Sequence, residues 1–130
     1  MLELAHLLIH FVLPVEARAH SLRVWLGSID QPEEVQIAAI LHDVVEDSDI
    51  GLPNIQELFG EKVSALVDCL TRRFDEQYFI YIARIKENPV ATLIKLLDLK
   101  DNIRRCEGDK SRTSLLRRYL KAKRILEENL

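Results

Sequence analysis

The stretch IAAILHDVVEDSD, residues 37–49, runs from five apolar residues directly into four acidic side chains and a histidine. Val35, Ile37, Ala38, Ile40 and Leu41 recur at helical spacing, so the segment predicts a helix that starts near the N-cap Asp30 and carries the acids at its far end. The turn Ile50-Gly51-Leu52-Pro53 is expected to break it. Acids at a helix C-terminus oppose the helix dipole, so Glu46, Asp47 and Asp49 call for full solvation or for a cation.

The same period continues on both sides. Residues 2–13 predict a helix ended by Pro14, and 14–26 a second one with Gly27 as its stop, burying Leu22, Val24 and Leu26. Beyond the acidic helix, the spacing predicts a short helix over 54–59 closed by Gly60, then helices over 61–73, 75–87 and 89–105. After Gly108 a last helix is expected over 111–129, with Leu115, Leu116, Tyr119, Leu120, Ile125 and Leu126 on one stripe. No segment alternates for long enough to make a half-buried strand, so the fold class is all-α: one compact domain, residues 1–130, of about seven or eight helices.

Composition agrees. Hydrophobic residues make up 48% and charged residues 30%, with four Gly and four Pro, the profile of a compact helical protein. The net charge of −3 hides an uneven distribution: Asp30 to Glu61 holds nine acids and no Lys or Arg, whereas Lys110 to Arg124 is basic. Such an acidic stretch repels phosphate and nucleic acid unless a metal sits in it. The basic last helix, with Glu127 and Glu128 at its end, reads as a solvated face rather than a nucleic-acid arm. Cys69 and Cys106 form no disulfide framework and no Cys-x-x-Cys motif, and read as small core residues. The opening LELAHLLIHFVL lacks a basic leader and a cleavage site, and is shorter than the ~20 apolar residues a bilayer needs. A cytoplasmic protein is expected, and its apolar content is compatible with a homo-oligomer.

Four features carry chemistry. His42 and Asp43 are adjacent near a helix end, about 100° apart on an ideal helix, and reach one metal only if it lies over the edge between them. Glu46 and Asp47 follow each of them four residues on, which sets a second acidic pair beside the first. Asp98 lies in Leu93-Ile94-Lys95-Leu96-Leu97-Asp98-Leu99, apolar enough to be buried, and a buried carboxylate demands a cation or strong donors; Asn102 shares its face. His20 is the remaining candidate, while His6 and His10 read as ordinary helix residues. Two imidazoles and two carboxylates suit a divalent transition metal such as Mn²⁺, Fe²⁺ or Zn²⁺, with positions left for water and substrate. Lys62, Arg72, Lys95 and Arg104 read as surface charges within reach of a phosphate.

Read together, Ala19-His20-Ser21-Leu22-Arg23-Val24, Ala38-Ala39-Ile40-Leu41-His42-Asp43-Val44-Val45-Glu46-Asp47, Phe59-Gly60-Glu61-Lys62-Val63 with Leu70-Thr71, and Ile94-Lys95-Leu96-Leu97-Asp98 with Asn102-Ile103-Arg104 resemble the HD-domain metal-dependent phosphohydrolases. The His-Asp-Val-Val-Glu-Asp string is similar to the RelA/SpoT-type branch, which hydrolyses guanosine 3′,5′-bis(diphosphate) at its 3′-pyrophosphate. The resemblance covers about residues 15–125 in the expected order and implies the helical HD-domain fold. It implies that His20, His42, Asp43 and Asp98 hold the metal, usually Mn²⁺, with Fe²⁺, Zn²⁺, Ni²⁺ or Mg²⁺ as alternatives. It also implies that Glu46 and Asp47 manage the attacking water and the leaving group, that Asn102 lies near sugar and phosphate, and that the partner is a small nucleotide rather than nucleic acid or a membrane.

The chain departs from that pattern in two places. The segment before the first histidine is longer and basic in the family; here it is His10 to Ala19, which leaves Arg18 and Arg23 as the substrate-binding candidates. Ser21 follows the histidine where the family has Pro, and Leu99-Lys100-Asp101 replaces the commoner Arg-Leu-His. An alternative expectation follows: a catalytically weak HD module that binds metal and nucleotide, or a protein partner, without turnover.

Overall fold

The computed structural model describes residues 1–128, and the described residues contain helices and no strand. In chain order the helices are α1 (Leu2–Val12), α2 (Val15–Gly27), α3 (Glu33–Leu41), α4 (Val44–Asp47), α5 (Leu52–Phe59), α6 (Glu61–Leu70), α7 (Tyr78–Lys86), α8 (Pro89–Cys106) and α9 (Thr113–Glu127), with a 3₁₀ turn at Lys110–Arg112 before α9. None of them is long and apolar enough to cross a membrane. The all-α expectation holds, and the ninth helix appears because one expected helix is cut in two. The expected end of the last helix at Asn129 lies outside the described residues.

The backbone contacts divide the chain into two compact units, Met1–Arg72 and the part from Arg73 onward. In the first, α3 is the hub, packed against α1, α2 and α6, while α5 packs on α6. Its Val35, Ile37, Ala38, Ala39, Ile40 and Leu41 are all buried, so α3 is covered nearly all round, as a central helix must be. Pro14 supplies the extended residue before α2. Between α5 and α6, Gly60 has φ +94°, a backbone state that a side chain would strain.

In the second unit α7, α8 and α9 pack on one another. Tyr78, Tyr81, Ile82 and Ile85 give α7 one buried face at i, i+3, i+4 and i+7. Helix α8 opens on Asn88, whose side-chain oxygen accepts from the backbone N–H groups of Val90 and Ala91, with Pro89 as the first helical residue. The connection before α7 is tied down by Glu76, which accepts from the Arg73 backbone and from Arg84 Nε and Nη2 at 3.0 Å each. The Arg84 hydrogen bonds pull the Glu76 carboxyl down to about 2, against some opposition from burial.

Several boundaries differ from the sequence reading. Helix α3 starts after Pro32, not at Asp30, because the proline presets the extended entry and the turn before it is closed by Gln31 N–H to Ser28. Gly27 is the last residue of α2 rather than its stop; Ser28 ends the helix and donates its hydroxyl to the Trp25 carbonyl at 2.8 Å. Leu52 and Pro53, expected in a breaking turn, form the first turn of α5, where a proline costs no hydrogen bond. Helix α6 stops at Leu70 and α7 waits until Tyr78, because the Glu76 contacts hold the intervening residues in a loop. Leu26 is exposed, since it lies about 200° around the helix from buried Val24. On α9 Leu115 and Leu120 are also exposed, and burial falls on Ala122 and Leu126. Cys106 is buried, whereas Cys69 is only half-buried.

Candidate metal centre

The decisive local departure is at His42–Asp43. The expected helix from Asp30 to the Ile50 turn stops at Leu41; His42 stays near helical (φ −56°, ψ −30°), but Asp43 turns to φ −104°, ψ 0°, and α4 begins after it. The break leaves the last carbonyls of α3 without helical donors, and the His42 ring supplies one: its Nδ1 lies 2.7 Å from the Ala39 carbonyl. A carbonyl only accepts, so Nδ1 carries the hydrogen and the neutral ring presents a bare Nε2 lone pair.

That nitrogen is the centre of a cluster. His42 Nε2 lies 3.3 Å from His20 Nε2 and 3.1 Å from Asp43 Oδ2, and His20 Nε2 lies 3.7 Å from the same oxygen. Both imidazoles are buried, and their rings meet at 65° with centroids 5.2 Å apart. Ligand atoms bound at about 2.1 Å to one ion and separated by 90–110° lie about 3.0–3.4 Å from one another. The three donor atoms sit close to that spacing, so this His/Asp cluster can hold a divalent metal. An unbroken helix would have aimed adjacent His42 and Asp43 about 100° apart; the bend at Asp43 removes that obstacle.

The acids that follow lie one turn further on, at the surface. Glu46 Oε1 accepts the backbone N–H of Arg72 at 2.8 Å, so the loop after α6 fixes this carboxylate. Asp47 borders an open groove of about 460 Å³ lined also by Phe11, Val12, Ser48, Asp49 and Ile50. Asp49 is an exposed surface charge. Of the two arginine candidates, Arg18 is engaged elsewhere: its Nη1 donates to His10 Nδ1 at 2.9 Å and to the His10 carbonyl at 3.1 Å. Arg23 is exposed, three residues beyond His20 on α2. His6 packs edge-on against Trp25, with centroids 4.5 Å apart.

In the second unit, Asp98 is 3% exposed on α8 and finds the donors its burial demands. Asn102 Nδ2 donates to Oδ1 at 3.2 Å, and Lys95 Nζ donates to Oδ2 at 2.6 Å. Arg105 in turn donates to Asn102 Oδ1. Asn102 thus shares the face of Asp98 as its spacing predicts. Lys95, in contrast, is no surface charge: it is buried beside Asp98, and its position three residues earlier in a wholly apolar segment was the signal. Arg104, read as a surface charge, is paired with buried Asp101 at 2.9 Å.

No protein-family model matches the chain. Among curated proteins it is 36% identical over 87 residues to a guanosine-3′,5′-bis(diphosphate) 3′-pyrophosphohydrolase of Aquifex aeolicus, covering 61% of this chain and 12% of that protein. It is 40% identical over 77 residues to the Drosophila melanogaster guanosine-3′,5′-bis(diphosphate) 3′-pyrophosphohydrolase MESH1, covering 55% of this chain and 43% of that one. The chain therefore spans less than half the length of either curated relative. A solved structure, described as a metazoan orthologue of SpoT that hydrolyses ppGpp, superposes with a TM-score of 0.70 at 28% identity, over 85% of this chain and 71% of that one. These curated relatives and this structural neighbour support the likeness of the chain to the HD-domain phosphohydrolases, in the branch of the ppGpp hydrolases.

Proposed function

We propose that the chain is a metal-dependent phosphohydrolase that acts on a nucleotide, in the most specific form guanosine 3′,5′-bis(diphosphate), releasing pyrophosphate from its 3′ position. The observation that carries this reading is the convergence of His20 Nε2, His42 Nε2 and Asp43 Oδ2 at metal-ligand spacing. In this reading Asp98 is the fourth ligand, Mn²⁺ is the preferred ion, and residues 1–130 work as one domain in the cytoplasm. The ordered match of the four sequence blocks to the family supports the ligand set, and the names of the relatives support the substrate.

The ion would supply Lewis-acid activation of water and would offset the repulsion between substrate phosphates and the acidic stretch. The chain's own residues do the rest. His42, oriented by the Ala39 carbonyl, presents Nε2 in its basic form. Of the pair Glu46 and Asp47, one carboxylate takes the proton of the attacking water as oxygen bonds to phosphorus. The other is the proposed donor of a proton to the departing ribose 3′-oxygen as the ester bond breaks. Arg72 N–H fixes Glu46 for one of these roles. Asn102 and Arg23 are the proposed contacts to sugar and phosphate.

Arg18 is the observation that favours the second reading, a module that binds without turnover. It stands in the shortened segment where a basic residue is expected to meet phosphate, but it is spent on His10. The test is a panel of nucleotides incubated with purified protein and Mn²⁺, guanosine bis(diphosphate) included, with pyrophosphate and phosphate release followed. Turnover that vanishes on chelation is expected. Metal binding without turnover of any nucleotide overturns the enzyme reading in favour of the binding module, and no metal uptake after soaking overturns both.

A further inference from the structure

Lys95 is a lysine where a lysine is costly. It is only 9% exposed, on the inner side of α8, and its neighbours are buried Asp98 at 2.6 Å and the ring of Tyr81, 5.2 Å from Nζ to the centroid. Burial works against a lone ammonium, and the Asp98 carboxylate at 2.6 Å supplies the countercharge that burial demands. On one rigid helix the i, i+3 spacing brings the two groups together without any rearrangement. Asn102 holds the other carboxylate oxygen, and Arg105 holds Asn102. Asp98 is thereby fixed in one orientation.

We infer that Lys95 is the positioning residue of Asp98: its ammonium fixes the carboxylate and balances its charge, so that the second unit folds whether or not a metal is bound. Many metal sites built from acids gather uncompensated charge in the apo state, and folding then depends on the ion. Here a side chain of the same helix is already in place. The clamp itself stands on the geometry within the second unit; its consequence for metal exchange rests on the proposed role of Asp98 as a ligand.

The experiment is a double-mutant cycle read by thermal melting in EDTA, with wild type, Lys95→Met, Asp98→Asn and the double variant. Methionine keeps the length and apolar stem of lysine and removes the charge. Lys95→Met is expected to lower the metal-free melting temperature by on the order of 10 °C, the scale of stranding a buried charge. The double variant should recover most of that loss, because no lone carboxylate remains. If Lys95→Met does not fold, recovery in the double variant remains the readout. Melting of Lys95→Met with wild type, or a double variant no more stable than Lys95→Met, overturns the inference. Mn²⁺ should then raise the melting temperature of Lys95→Met more than that of wild type. Equal Mn²⁺ affinity of wild type and Asp98→Asn by calorimetric titration would remove Asp98 from the ligand set, and with it the metal consequence, while the metal-free cycle would still decide the clamp.

Discussion

The two units solve the same problem, aiming a carboxylate, in opposite ways. In the first, Asp43 is delivered by breaking a helix: α3 ends, the backbone turns, and neighbouring side chains that would have diverged meet at His42 Nε2. In the second, α8 runs unbroken from Pro89 to Cys106, and Asp98 is held by side chains three residues before it and four after. The first device spends backbone hydrogen bonds, which the His42 ring partly restores at Ala39, and keeps its carboxylate partly open to solvent. The second keeps every helical bond and buries the charge, so it needs a countercharge of its own. A carboxylate that must meet water can sit on a break; one that must stay fixed is better placed within a helix.

The strongest way to break this contrast is at the bend. Asp43→Ala should abolish metal uptake, measured by metal analysis after soaking, and lower turnover by at least about a thousandfold, since several kcal/mol of charge stabilisation go with the ion. Wild-type activity in that variant would place the site elsewhere. Glu46→Gln should cost turnover about a hundredfold while metal content stays, because an amide cannot take the proton although its oxygen can still accept from Arg72 N–H. Loss of metal instead would make Glu46 part of the ligand set.

The scaffold that presents the bend is tested by Ile40→Ala, whose side chain is fully buried in the hub helix. A loss of about 2–5 kcal/mol in chemical denaturation is expected, and a neutral result would mean that α3 is not the core of its unit. The smallest effect belongs to the second unit. The folded-state pKa of Glu76 lies below its unfolded value, so its contribution is present above the ordinary carboxylate range and fades as pH falls through it toward about 2. Glu76→Gln should therefore lower stability modestly at neutral pH and flatten the profile between about pH 4.5 and 2, where wild type loses what the variant has already lost; equal denaturation midpoints of the two proteins at about pH 7 would remove Glu76 from the stability of this unit.

Much of this was legible in the chain itself. The helical period, the prolines at 14 and 89 and the glycines at 60 and 108 marked most of the elements, because local propensity and backbone geometry act over a few residues. The ordered His-Asp blocks named His20, His42 and Asp43 as partners, and the structure brings their donor atoms together. Burial of Asp98 followed from the apolar run around it, since a helix that is hydrophobic on all sides has to lie inside.

Other features were not in the spacing. Leu26 and Leu120 look as apolar as Val24 and Leu126, and only the neighbouring helices decide which of them is covered. Nothing in Ile37 to Asp49 predicts that the helix stops at Leu41, because the residues on either side would extend it; the break is set by the packing around α3 and by His42 turning back to Ala39. Lys95 and Arg18 are the same kind of case, two cations of similar chemistry, one drawn inward to Asp98 and the other turned to His10. The sequence by itself determined an all-helical chain and the residue types able to hold a metal, since period and donor chemistry are local properties. Which helix bends, which carboxylate is clamped and which cations are already spent were decided by the tertiary structure, because burial and pairing depend on what the distant parts of the chain place alongside.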